Sequence, residues 1–301
     1  MMATTTFDRP IKAPAFRQVS RGRRVRNGIA TAVMWLCFGI AMVPLGWVVI
    51  LVVSKGFHAI TRNGWWTNSQ KGVLPEQYAG GVYHAIYGTI VQSAVAAVIA
   101  VPLGIMAAIY LVEYGRGRLA RTTTFMVDIL AGVPSIVAAM FIFAFWIATF
   151  GFPQSAFAVS LALVLLMLPV VVRSTEEMLK LVPDELREAS YALGIPKWKT
   201  ILRIVIPTAL PGMISGMLLA LARIMGETAP VLVLVGYSRS INFDVFNGNM
   251  ASLPLLIYQE LANPEPAGRM RVWGASLTLI LIIALLYVGA AVVNKLLTRN
   301  R

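Results

Sequence analysis

The chain has 301 residues, of which 58% are hydrophobic and only 13% charged, with a mean hydropathy of +0.74. That balance excludes a water-soluble domain and describes a multi-span membrane protein. The net charge of +13 does not call for nucleic acid, because Lys and Arg gather in alternate loops, as orientation in a membrane requires.

Residues 1–27 carry Arg9, Lys12, Arg17, Arg21, Arg23, Arg24 and Arg26 among polar residues and two prolines. They read as a disordered basic arm near anionic membrane lipids. The transmembrane domain follows over 28–295. Its first span, 28–53, is long enough for a bilayer core of about 30 Å; it has the basic flank of a signal peptide but no small-residue cleavage site, so it reads as an uncut anchor. The segment 54–83 is an external loop in which Trp65 and Trp66 fit an interfacial aromatic belt. A second span, 84–112, returns through Arg116, Arg118 and Arg121. The third span, 122–150, holds Asp128 as a cap or as the partner of a basic residue. After the turn Gly151-Phe152-Pro153 comes the fourth span, 155–172, and then the polar loop 173–207.

The fifth span is 208–236, with Gly212 and Gly216 on one face for close helix approach. A second external loop, 237–272, contains 250–261 as a short interfacial or gate helix. Span six is 273–293, and 296–301 is a basic tail. The expectation is an all-α integral membrane protein with six transmembrane helices and both termini cytoplasmic. Cys37 is the only cysteine, and His58 and His84 are isolated, so no metal site is expected.

Two stretches carry the chemistry. In the polar loop, Asp184, Glu185 and Glu188 follow Pro183, where carboxylates suit the positive end of a helix. Leu186, Ala189, Ala192 and Leu193 share a face, and Gly194 before Ile195-Pro196 stops the helix. Spacing alone describes a solvated connector equally well. In the fifth span, Arg223 and Glu227 are four residues apart, which places them about 6 Å from each other on one helical face. Charges at that depth belong in a bundle interior or a wet cavity. They read either as a structural ion pair or as an anion site, since the arginine fork matches oxyanions. Pro230 cannot donate to the Gly226 carbonyl, so it loosens the helix beside them, as in the interrupted helices where transporters bind ions.

Glu188-Ala189-Ser190, then Gly194, then Ile204-Val205-Ile206-Pro207 resembles the Glu-Ala-Ala loop of bacterial ABC importer permeases. Ser190 stands for the second alanine of that pattern and Ile206 for its leucine. The string from Ala222 through Arg223, Gly226, Glu227, Thr228 and Ala229 is similar to a stretch of the phosphate permeases within that family. Gly80-Gly81-Val82-Tyr83, the run from Leu130 to Val137 and the run from Arg173 to Leu179 agree with it, so the likeness covers the chain from about residue 80 onward.

The resemblance implies an ABC importer permease fold whose cytoplasmic coupling helix docks on a separate ATPase through Glu185, Glu188, Ala189, Gly194 and Pro207. It implies a substrate path at Arg223, Glu227 and Thr228. It further implies a bacterial inner-membrane subunit that works with a sister permease, two ATP-binding subunits and an external phosphate-binding protein to import inorganic phosphate. The chain has no Gly-x4-Gly-Lys-Ser/Thr loop, so ATP and Mg would sit on the partners and this chain would not itself be an enzyme. The alternatives are a permease for another oxyanion, such as sulfate or molybdate, and a channel or scaffold subunit without an ATP-driven cycle. Glu227 argues against a fully deprotonated anion, because a carboxylate repels it but accepts a hydrogen bond from the OH of hydrogen phosphate.

Overall fold

The computed structural model describes residues 20–299; most of the basic arm, residues 1–19, lies outside them, as do residues 300 and 301. The described residues form helices and no strands. The chain divides into two units, 1–51 and 52–301.

In the first unit, helix α1 (Arg21–Ile60) begins inside the arm that was expected to be disordered to residue 27. The correction has a simple cause. Arg23, Arg24 and Arg26 are good helix formers, and extending an existing helix fixes one residue per added hydrogen bond, without the cost of a new nucleus. Its residues to Leu51 are almost all exposed, including Trp35, Phe38 and Trp47, as suits a helix surrounded by lipid. Past Leu51, α1 belongs to the second unit, where Gly56 lets it approach Trp273 and Leu277.

The second unit is built around α5 (Ala156–Lys180), whose apolar window is 67% buried. Helix α2 (Tyr83–Ile109) lies against it through Ala96, Ala100 and Gly104; a Cβ on Gly104 would stand 2.7 Å from Val171. On another side of α5 lies α8 (Ile206–Met225), where Gly212 meets Met178 and Gly216 meets Ser174, the close approach that glycines four apart permit. Ala96, Ala162, Leu163, Met167, Ala220 and Ile224 share the core between these helices.

The third span is not one straight helix. Helices α3 (Arg118–Gly132) and α4 (Ser135–Ile142, widening into a π-helical Phe143–Thr149) meet at 106°. Pro134 disfavours helical geometry at the residue before it, and Val133 accordingly is extended at φ −70° and ψ 125°. By length and hydropathy five helices can cross a membrane, or six if the bent pair counts as one span. Asp128 on α3 pairs with Arg173 on α5.

Between α5 and α8 the expected polar loop is a compact helical hairpin, α6 (Asp184–Ala192) and α7 (Lys197–Thr200). Helix α9 (Ala229–Leu234) follows α8, and α11 (Pro266–Arg299) ends the described chain. Helix α10 (Leu253–Leu261) is not interfacial: Leu253, Pro254, Leu255 and Leu256 are buried, and Glu260 makes a buried ion pair with Arg271 at 3.2 Å. Trp65 also departs from the belt reading. It is 1% exposed, its Nε1 donates to Thr278 Oγ1 at 3.0 Å, and it rests against Gly274, where a Cβ would stand 2.5 Å from the ring. Trp66 remains exposed.

Candidate functional site

The docking hairpin is shaped by a turn that only glycine adopts easily. Gly194 has φ +73°. Its N–H donates to Tyr191 O at 2.9 Å, and Ile195 N–H reaches Ser190 O at 3.2 Å, the paired closure that satisfies the last carbonyls of a helix. Ser190, which stands where the family pattern has alanine, is buried and shares a 2.8 Å hydrogen bond with Thr200, so α6 and α7 are locked side by side. Glu185, Glu188 and Ala189 are exposed on α6, and Gly194 is exposed at its end. Leu193 at 80% and Trp198 at 60% exposure stand beside them. Acidic groups around exposed apolar side chains make a surface fit for a protein partner.

Sequence reasoning missed what anchors this hairpin. Arg187 on α6 pairs with Glu113, in the π-helical turn Tyr110–Tyr114 that ends α2, at 3.0 Å; their side chains are 13% and 5% exposed. Arg187 also donates to Val182 O at 2.7 Å and to Leu179 O at 3.0 Å, closing the C-terminal end of α5, and pairs with Asp184. Lys197 donates to the Glu113 carbonyl and lies over the Tyr114 ring. These residues line a polar cleft of about 380 Å³ that also holds Arg116, Lys180 and Tyr191. No spacing rule links Glu113 to Arg187, since the pair is long-range.

From the hairpin a single helical path of 29 residues runs from Lys197 to Met225, about 43 Å at 1.5 Å per residue. It opens into a π-turn at Ile201–Val205 just before Pro207, whose ring crowds the carbonyl four residues back. Pro207 occupies the first turn of α8 and is half-buried.

At the far end stand the other sequence-selected residues, and here the expected geometry is corrected. Arg223 and Glu227 do not share one helical face, because the fifth span breaks after Met225. Gly226 and Glu227 donate to the carbonyls of Arg223 and Ile224, three residues back, and α9 restarts at Ala229 with Pro230 in its first turn. Proline there has no helical N–H to lose, and glycine makes the break cheap. Arg223 is exposed in the last turn of α8, Glu227 is half-buried in the junction, and Thr228 caps α9 without a side-chain bond. Among the described residues Arg223 and Glu227 form no ion pair. The Glu227 side chain instead faces a narrow cleft of about 10 Å³ shared with α2, α5 and α10.

A family profile described as "Binding-protein-dependent transport system inner membrane component" matches residues 100–301. The chain belongs to this family. It is 65% identical over 300 residues to the "Phosphate transport system permease protein PstA 1" of Mycobacterium tuberculosis (strain ATCC 25618 / H37Rv), covering 100% of this chain and 97% of that one. The "Phosphate transport system permease protein PstA" of Pasteurella multocida (strain Pm70) is 35% identical, with 90% and 95% covered. Among solved structures, the inward-facing MetNI methionine ABC transporter superposes with a TM-score of 0.58 at 20% identity, covering 72% of this chain and 94% of that one. A bacterial alginate ABC transporter gives 0.62 at 13% identity, with 88% and 93% covered. At those identities the structural likeness speaks for the fold, which is that of ABC importer permeases.

Proposed function

We propose that this chain is the membrane-spanning permease subunit of an ATP-driven importer of inorganic phosphate. One observation carries the mechanism: an unbroken helical path joins a projecting docking hairpin to a broken-helix junction that holds an unpaired arginine and an unpaired glutamate. Full-length identity of 65% with a permease named for phosphate supports the choice of cargo.

In this reading ATP and Mg bind to partner subunits, two PstB-like chains, and this chain is not an enzyme. The α6–α7 hairpin seats on one of them through Glu185, Glu188, Ala189 and the Gly194 turn. Closure of the ATPase pushes the rod beyond Pro207 along its length and shifts the junction at its far end. Arg223, exposed on this chain alone, faces a path shared with a PstC-like sister permease. Its guanidinium replaces the water that an oxyanion sheds on entering, while Glu227 and Thr228 supply acceptors for a phosphate OH. Contacts of this kind pass an ion only if they release it again, so tight binding by the isolated chain is not expected. An external phosphate-binding protein delivers the anion. The chain lies in the bacterial inner membrane with both termini cytoplasmic, as its basic loops favour.

Cells lacking this chain, under conditions where no other phosphate importer is made, are expected to lose high-affinity phosphate uptake and to regain it when the chain is restored. Sulfate uptake should be unchanged throughout. Loss of sulfate uptake with intact phosphate uptake would assign the path to the other oxyanion.

A further inference from the structure

The cleft behind Glu227 is polar in a region packed with alanine, leucine and valine, and its hydrogen bonds can be followed one by one. Thr89 Oγ1 donates to Ala85 O at 2.9 Å and accepts from Leu253 N–H at 2.8 Å. Ser93 Oγ donates back to Thr89 O at 2.6 Å. Ser252 Oγ caps α10 by accepting from Leu255 N–H at 3.4 Å. Each hydroxyl therefore has its partner. Two groups do not: the Nε2 of Gln92, on a residue 2% exposed, has no hydrogen-bond partner, and the carboxylate of Glu227 makes no printed bond across the same cleft.

An orphaned amide in such a place costs about 1–3 kcal/mol, and the surrounding structure holds it there firmly. The Gln92 carbonyl accepts from Ser160 Oγ of α5 at 3.0 Å. One turn away, Thr89 ties α2 to the start of α10, and Gly88 lies directly under the Ala251 carbonyl. The backbone of Gln92 is thus fixed between α5 and α10, and its amide is presented to the junction on α8–α9, the element at the end of the docking rod.

The geometry points to Gln92 as a second anion contact of the path. Its amide N–H donates to an oxygen of an oxyanion while Glu227 accepts that oxyanion's OH, so the pair reads an anion that carries both acceptor oxygens and a proton, as hydrogen phosphate does and sulfate does not. This rests on the reading of Arg223 and Glu227 as the path. The cleft now has room for about one water, so the contact forms only when the α8–α9 junction moves away from α2. A closed cleft therefore belongs to a state without anion, and movement of the rod exposes donor and acceptor together.

The test is maximal phosphate uptake, expressed per assembled complex, in cells that depend on this chain. Gln92→Met keeps the volume and removes the donor, and is expected to lower the rate about tenfold or more. Gln92→Glu keeps the shape but sets a carboxylate against Glu227, and is expected to lower it further. Normal per-complex uptake by Gln92→Met would overturn the inference. Arg223→Gln in the same assay separates the two levels. If it is inactive while Gln92→Met is normal, only the role of Gln92 falls; if both are normal, the path itself lies elsewhere.

Discussion

Arg223→Gln is expected to reduce phosphate uptake about a hundredfold while leaving the amount of assembled complex unchanged. The estimate follows from losing two hydrogen bonds from a charged donor to an anion, each of about 1.5–3 kcal/mol. An ion pair with Glu227 would have led to a different forecast. Had the two charges neutralised each other in the interior, removing one would have destabilised the protein, and Arg223→Met with Glu227→Leu would have restored it. The exposed Arg223 and the broken helix between the two residues remove the basis for that outcome. Uptake and quantitative co-purification, measured on the same cells, decide the matter: an unassembled Arg223→Gln complex would place the arginine in the architecture of the interface.

Arg187→Met should act in the opposite manner, on stability before transport. Glu113 would be left as an uncompensated charge at 5% exposure, a situation that costs about 3–5 kcal/mol. The carbonyls of Leu179 and Val182 would lose their donor as well. Thermal unfolding of the purified complex is expected to begin at markedly lower temperature, with the α6 hairpin released first. Adding Glu113→Gln to Arg187→Met removes the stranded charge and should recover part of the loss, but not the carbonyl contacts. An unchanged unfolding temperature for Arg187→Met would mean that the hairpin is held by its apolar contacts alone.

How far the sequence could be read follows from which signals are local. Apolar runs set by length gave the spans, and the stop signal at Gly194 is a local backbone requirement that appears as φ +73°. Periodicity failed where it presumed a continuous helix. Arg223 and Glu227 were set on one face although Gly226, with no Cβ, and Pro230, suited to a first helical turn, allow the chain to stop and restart between them. Val133 and Pro134 broke the third span by the same kind of local chemistry. Trp65 was misassigned because belt preference is a tendency of tryptophan at interfaces, whereas its seat is made by Gly274, distant in sequence. The Glu113–Arg187 anchor and the cleft that joins Gln92 to Glu227 bring together residues from separate helices, and no spacing rule reaches that far.

ATP-driven accumulation of labelled phosphate in sealed vesicles, with the assembled importer oriented so that α6 meets the ATP, tests the central claim most directly. The account predicts that phosphate is transported against its gradient only when ATP is present, that sulfate is not accumulated, and that vesicles carrying Arg223→Gln hydrolyse ATP without accumulating phosphate. Phosphate that merely equilibrates across the membrane without ATP would contradict it and make this chain part of a channel.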